Sequence, residues 1–430
     1  MSAPQRVSRR RFIQTSTLAA GFGPLAFSGL ARAAKAANER ITLGFIGMGK
    51  QSRGHVSRFL GMPDVQIVAV CDVEPTRLED AKQNVEKGYA KQTGGGSYSG
   101  CAAFKDFREL LARDDIDAVV ISTPDHWHSI PTIMAARAGK DIYCEKPLGV
   151  FIAEGRAMVD AVRAKNVVFQ TGSQQRSEFG GRFRQAVELV RNGHIGEVKR
   201  VRVGVGEAAV PCDLPTEEVP AGTDWNMWLG YAPERGYNEI LCPKGMHNHF
   251  PAWRKYREFA GGALSDMGAH HFDIAQWALN KDDSGPVKIE PPTDGARTGL
   301  KFTYADGVEL FHGGPSGCTF EGTKGTLYVD RSKIESTPAG IVEHKTTASE
   351  WRCEPSDNHH RNWIEAVKSR KKPICDIEIG HRSASVCQLG NIGYELKRPL
   401  QWDPQTEKFV DDDAANKSLV RELRSPWKLA

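Results

Sequence analysis

The feature that most constrains the fold is a short apolar run, residues 41–46, that ends in Gly47-Met48-Gly49 and gives way to a helical pattern through Leu60. A second apolar run, residues 65–70, ends at Cys71-Asp72. A strand that turns through glycines into a helix lets the backbone approach a pyrophosphate, and the helix N-terminus supplies the N–H donors that hold it. Ser52 stands where the third glycine of that pattern belongs, with Gly54 just beyond. Asp72 follows about 20 residues on, where a carboxylate accepts from a ribose 2′-hydroxyl. Gly47, Met48, Gly49, Ser52 and Asp72 are therefore cofactor-binding candidates, for NAD rather than NADP, although NADP stays open. The competing reading is a glycine-rich turn in some other doubly wound protein.

The alternation then repeats: a helix from about Thr76, a glycine-rich loop at 94–100, a strand over 118–122, a helix over 129–138 and a strand over 141–144. Strands alternating with helices predict a parallel, doubly wound sheet. Past Val168 the character changes. A long Pro-rich polar stretch covers 211–251, residues 199–205 alternate, and 300–311 with its Ala305-Asp306-Gly307 turn, together with 326–329, read as antiparallel hairpins. The expected α/β architecture is an N-terminal Rossmann domain over 41–165 and a C-terminal α+β domain over 166–400 with a large, mostly antiparallel open sheet. A tail over 401–430 is expected to wrap the surface. The open sheet offers a face for homo-oligomer formation.

The first 33 residues hold five of the 57 basic residues and none of the 53 acidic ones, so without them the formal charge falls from +4 to −1. The body of the chain carries no charge footprint for nucleic acid. Ser8-Arg9-Arg10-Arg11-Phe12-Ile13, a weakly apolar stretch over 18–30 and Ala31-Arg32-Ala33 read as a twin-arginine export signal with a small-residue cleavage site, followed by a linker over 34–40. Gly21, Gly23, Pro24 and Gly29 oppose the alternative, a basic amphipathic helix. An extracytoplasmic, periplasmic location and passage through the twin-arginine machinery follow as expectations. No other run approaches the roughly 20 apolar residues of a membrane span. Nine cysteines spread over 430 residues do not read as the dense disulfide framework of a small secreted domain; Cys212 and Cys242 flank one irregular region and could pair after export.

Two separated motifs go further. The first is Ser122-Thr123-Pro124-Asp125-His126-Trp127-His128, followed by Gly139-Lys140 and Cys144-Glu145-Lys146-Pro147. The second is Trp253-Arg254, then Gly261-Gly262-Ala263-Leu264-Ser265-Asp266-Met267-Gly268-Ala269-His270-His271-Phe272-Asp273. Over about residues 41–399 the chain resembles the glucose–fructose oxidoreductase/inositol dehydrogenase (Gfo/Idh/MocA) family, and most of all its exported branch. The resemblance implies that Lys146 contacts the reacting hydroxyl and the nicotinamide ribose, that His270 exchanges the hydroxyl proton, and that Asp266 holds substrate or tunes the histidine. It adds Ser122, Thr123, Pro124, His128, Glu145 and Lys146 to the cofactor set.

The residues support these roles independently. Asp266, His270, Asp273 and Trp277 share a helix face by their spacing of four, three and four. Histidine titrates near neutrality and suits proton abstraction from an alcohol; lysine serves if burial lowers its pKa. Pro147 restricts the backbone of Lys146 to extended or turn conformations. Trp127, Trp253 and Trp277 are sugar-stacking candidates, with core packing the plainer reading. Gln175-Arg176 reads either as pocket lining or as solvated surface. The substrate-binding set is thus Lys146, Arg176, Trp253, Asp266 and His270. The histidine pairs 126/128, 247/249, 270/271 and 359/360 have no recognised ligand spacing, and no metal is expected.

An exported enzyme meets no free nicotinamide pool, so it is expected to carry its cofactor and regenerate it within the cycle. Three chemistries fit: coupled oxidation of one sugar and reduction of another; oxidation, elimination and reduction that cleave a glycoside; and electron transfer to an external acceptor. A sugar, polyol or glycoside oxidoreductase is the first reading and NAD-dependent glycoside cleavage the second. A non-catalytic sugar- or cofactor-binding protein is the third, since fold alone does not imply activity.

Overall fold

In the computed structural model, which describes residues 40–429, six parallel strands form the first sheet. They are β1 (Ile41–Ile46), β2 (Val65–Cys71), β3 (Ala102–Phe104), β4 (Ala118–Ile121), β5 (Asp141–Cys144) and β6 (Phe169–Thr171), in the order β3-β2-β1-β4-β5-β6. β4 and β5 are buried along their whole length, as strands covered on both faces must be. The crossovers carry helices α1 (Lys50–Leu60), α2 (Pro75–Gln92), α3 (Phe107–Leu111), α4 (Ser129–Arg137) and α5 (Ile152–Lys165). Pro75 opens α2 and the Glu74 side chain accepts from the Arg77 N–H, which sets that helix start at the edge of the cleft. Strand order reverses between β1 and β4, and the crevice beyond their C-terminal ends is where a doubly wound sheet binds ligands.

The second sheet has eight strands: β7 (Val198–Gly204), β8 (Lys288–Glu290), β9 (Lys301–Thr303), β10 (Glu309–Gly322), β11 (Thr326–Val329), β12 (Ile334–Thr337), β13 (Leu400–Asp403) and β14 (Lys408–Phe409). The expected hairpin over 300–311 forms β9 and β10, with Thr303 opposite Glu309. β10 bends at Gly313-Gly314-Pro315, so residues on both sides of the bend pair with β7. One face of the sheet buries Phe302, Leu310 and Phe320 against Phe183 of α6 (Arg182–Arg191), Phe272 of α9 (Gly268–Ala278) and Leu389 of α12 (Ile377–Leu396). The other face carries ion pairs among Arg200, Arg202, Glu309 and Glu321, and between Lys301 and Glu290. The Pro-rich stretch over 206–260 contains only the short helix α7 (Trp225–Leu229) and a 3₁₀ turn at Ala252–Lys255 as helical segments, yet it has its own apolar cluster built on Trp228, Tyr237, Leu241, Trp253 and Phe259.

Three expectations need correction. The Rossmann sheet runs past residue 165, because β6 pairs with β5. Its outer layer is completed from far along the chain by α11 (His359–Ser369), whose Trp363, Ile364 and Val367 join the core around Phe45 and Val120. The tail is more than a surface wrap: β13 and β14 extend the second sheet, and Trp427 packs on Phe107 and edge-on to Trp127. Cys212 and Cys242 are free thiols, each facing an arginine, Arg235 and Arg77 respectively. No helix among the described residues is long and apolar enough to cross a membrane. The twin-arginine segment and nearly all of the linker lie outside the described residues.

Candidate active site

The crevice at the reversal point is lined on one side by Gly47, Gly49, Asp72, Ser122, Thr123 and Pro124. Gly47 has φ +84°, and a Cβ there would sit 2.9 Å from the Thr123 nitrogen, so only glycine is tolerated. A Cβ on Gly49 would meet nothing within 4 Å: its bare face opens into the cleft. α1 starts there with no side-chain cap and no acidic residue in its first turn, which leaves its N–H groups to an anion. Asp72 accepts from the Met48 N–H at 2.6 Å and the Glu74 N–H at 2.8 Å, fixing its carboxylate at the end of β2. Ser122 Oγ and Thr123 Oγ1 are buried with no partner. These orphaned hydroxyls, the glycine cradle and the uncapped helix fit a dinucleotide.

The second domain roofs the cleft with Leu241, Cys242, Pro243, His247, Phe250, Trp253 and Arg254. Two Rossmann arginines hold the roof down. Arg53 donates to the His247 carbonyl at 2.5 Å and to Asn248 Oδ1 at 3.2 Å; Arg77 donates to the Pro243 carbonyl at 2.7 Å. Arg254 lies over both Phe250 and Trp253, 4.9 and 4.1 Å from the ring centres.

Arg254 also leads to the polar end of the site, with its Nε 3.5 Å from Asp266 Oδ1. Lys146 Nζ donates to that same oxygen and to the Asp266 carbonyl, both at 2.7 Å, and the Lys146–Pro147 peptide is cis. Burial pushes the Asp266 carboxyl up, but Lys146 and Arg254 outweigh it and hold the group below its ordinary range. His270 moves the other way: burial, then the charges of Lys146 and Arg331, depress its pKa far below the usual imidazole value. Its Nδ1 is buried without a partner. Gln175 ties the site together, donating to the His270 carbonyl at 3.1 Å and accepting from Arg331 at 2.9 Å.

Other expected residues stand behind the cleft. Met48 and Ser52 are buried against each other, so Met48 contributes only its backbone geometry. His128 is buried between the carbonyls of Thr123 and Pro147, at 3.0 and 2.7 Å, and braces the two loops that carry Ser122 and Lys146. Glu145 is buried too. Burial works to raise its pKa, but hydrogen bonding to His55 and the charges of His55 and Lys146 bring it down to about 2; Gln51 and Gln174 complete its shell at 3.3 and 2.8 Å.

Arg176 does not line the site, nor is it solvated. It is 2% exposed and forks onto Asp273 and Asp282. The single helix face is also interrupted: α8 (Gly262–Asp266) and α9 are separate, with the break at Met267. Asp266 pairs with Lys146 and His270 feels that lysine's charge, whereas Asp273 pairs with Arg176 and Trp277 lies under that guanidinium at 4.8 Å. Trp127 and Trp253 are core residues that still present an edge to the cleft.

Sequence reasoning missed Asp125, Gln51, Arg77, Arg254 and Arg331. Asp125 and Arg254 sit inside the two motifs and were open to discovery there; the others carry no local signal. Asp125 is 2% exposed, and its Oδ2 has no partner. Burial raises its pKa to about 8; Lys146 and Arg254 pull down, Asp266 and Glu145 push up. A carboxyl whose folded pKa lies above its unfolded one contributes stability below the ordinary carboxylate range and loses it as pH rises through the folded value, here about 8. Asp125→Asn removes that titration. It is expected to melt higher than the parent at pH 8.5 and to show a flatter pH profile; equal melting shifts at pH 5 and pH 8.5 would refute the assignment.

Family models decide the relationship. The oxidoreductase family's NAD-binding Rossmann fold matches residues 41–173, and its C-terminal alpha/beta domain matches 205–429. The chain belongs to the Gfo/Idh/MocA oxidoreductase family. As a Gfo/Idh/MocA chain it carries an NAD-binding Rossmann domain, in agreement with the cradle at Gly47 and Gly49. It is 31% identical over 270 residues to an alpha-N-acetylgalactosaminidase of Shewanella oneidensis, covering 62% of this chain and 54% of that protein. Myo-inositol 2-dehydrogenase of Thermotoga maritima is 30% identical over 244 residues, 56% of each chain. A glycosyl hydrolase family 109 protein of Shewanella pealeana matches 45% of this chain and 40% of its own length at 31% identity. The chain thus spans about half the length of these curated relatives. Among solved structures, WlbA dehydrogenase from Bordetella pertussis, in complex with NADH and UDP-GlcNAcA, superposes with TM-score 0.58 at 19% identity over 85% of this chain and 99% of that one. Levoglucosan dehydrogenase, in complex with NADH and L-sorbose, does so at 0.57 and 18% over 84% and 99%. At these identities the superpositions establish the shared fold.

Proposed function

We propose that this Gfo/Idh/MocA chain is an exported oxidoreductase that holds its NAD tightly and acts on a CH–OH group of a sugar, polyol or glycoside. The observation that carries the reading is the fixed Lys146–Asp266 pair, tied through Arg254 to the edge of a dinucleotide cleft, with His270 held under the charge of that lysine. The bound nicotinamide supplies the hydride acceptor for the carbon being oxidised. Lys146, with two of its three N–H groups committed to Asp266, donates the third to the substrate hydroxyl oxygen and orients it. His270 takes the hydroxyl proton as general base. Burial and the charge of Lys146 disfavour the imidazolium, so the ring enters the reaction unprotonated and able to accept that proton. Asp266, kept ionised by Lys146 and Arg254, anchors the lysine.

A second reading is oxidation, elimination and reduction of a glycoside, and the family 109 relatives favour it. The two part at the product: the first yields an oxidised sugar, the second a released aglycone.

The roof pinned by Arg53 and Arg77 supports tight cofactor retention. Protein purified without added cofactor and then denatured is expected to release stoichiometric NAD, identified by mass, and some sugar or glycoside in a panel is expected to reduce it in place. Arg53→Ala is expected to lose the cofactor on desalting. An empty protein that fails to bind added NAD would leave a non-catalytic binding protein as the better reading. Export rests on Arg9 and Arg10: replacing both by lysine is expected to retain the precursor in the cytoplasm, and undiminished periplasmic enzyme would overturn it.

A further inference from the structure

Away from the cleft, three side chains with no part in the chemistry above converge at the surface. His194 follows the end of α6; His344 and Glu350 flank a turn just after α10 (Gly340–Glu343). His194 Nε2 lies 2.6 Å from Glu350 Oε1, and His344 Nε2 lies 3.1 and 3.0 Å from the two oxygens of the same carboxylate. The two rings lie tilted with centres 3.9 Å apart and planes 36° apart, and both Nε2 atoms face the same carboxylate. One ligand atom from each residue falls within 4.8 Å of the others.

We propose that His194, His344 and Glu350 bind a divalent transition-metal ion of the zinc class, which clasps the 344–350 loop to the end of α6. Two imidazole nitrogens and one carboxylate oxygen are a zinc donor set. Bond lengths of about 2.0–2.2 Å place tetrahedral ligand atoms about 3.3 Å apart; the nitrogen-to-carboxylate separations of 2.6–3.1 Å open slightly to reach it, and the whole set already lies within 4.8 Å. Calcium and magnesium, which demand shells of oxygen, do not match two imidazoles. The three side chains are 20–32% exposed, which leaves a path of entry and a position for water.

The backbone on both sides is already fixed. Asn192 makes a two-way clamp with the Trp351 N–H and carbonyl, both at 2.9 Å. Glu188 of α6 accepts from Thr346 Oγ1 and the Cys353 N–H, both at 3.0 Å, and the Glu350 carboxylate accepts the Thr347 N–H at 2.6 Å. Folding therefore does not depend on the ion, and the ligand atoms are presented before it arrives. None of the neighbouring histidine pairs in the sequence takes part.

The test uses the full mature protein, stripped with chelator and titrated with zinc by calorimetry and with cobalt by visible absorption. One equivalent is expected to bind, with the absorption of a low-coordinate cobalt site, and zinc is expected to raise the melting temperature. His194→Ala and His344→Gln are expected to weaken zinc at least tenfold and to lose the cobalt band. His344→Gln keeps a donor to Glu350, so an unchanged apo melting temperature in that variant shows that the fold is intact. Turnover is expected to stay at the parent level in both. No saturable binding to the parent, or equal binding by parent and variants, would overturn the site.

Discussion

His270→Ala is expected to lower turnover by about two orders of magnitude or more, the usual range for a lost general base, while the protein keeps its bound NAD. That loss corresponds to about 2.7 kcal/mol of transition-state stabilisation. The effect should fall on kcat, because the imidazole is neutral in the ground state and acts as the hydroxyl proton departs. Lys146→Ala is expected to lose a similar factor for another reason: the ammonium held 2.7 Å from Asp266 vanishes and with it the orientation of the hydroxyl. Steady-state kinetics and cofactor content measured on the same preparations separate the two. Unchanged turnover in His270→Ala would remove the base assignment.

Arg176→Leu is expected to destabilise the protein by about 3–5 kcal/mol, the usual cost of stripping one partner from a buried ion pair. Asp273 is fully buried, and burial raises its pKa even with Arg176 beside it at 2.8 and 2.9 Å. Without the guanidinium, Ser383 is its one remaining side-chain donor, at 2.8 Å. Urea or thermal unfolding should show the loss, and adding Asp273→Asn should recover part of it, since the second change removes the stranded charge. At temperatures where the variant is still folded, its KM for substrate is expected to match the parent's. A raised KM with unchanged stability would return Arg176 to the substrate pocket.

These two residues mark how far sequence reasoning reaches. Gly47, Gly49, Asp72, Ser122 and Thr123 were legible as cleft residues because their geometry is local: a strand end, a turn and a helix start follow within a few residues. Lys146 was legible through Pro147 and Asp266 through its motif, and the structure brings these two together. Arg176 was not, because its partners lie 97 and 106 residues away, and an arginine after a strand looks the same whether it faces a pocket or a buried aspartate. The helix face from Asp266 to Trp277 failed for a related reason. Its periodicity holds, but the break at Met267 divides it between site and core.

The order of strands and helices, the glycine cradle and the candidate reacting groups were legible in the sequence alone, because each depends on neighbours along the chain. The roof over the cleft, the sixth strand and Trp363 completing the Rossmann layers, the neutral state of His270 and the convergence of His194 with Glu350 were decided only by tertiary structure. Burial and electrostatics depend on what packs in space, and for these groups the deciding neighbours come from distant parts of the chain.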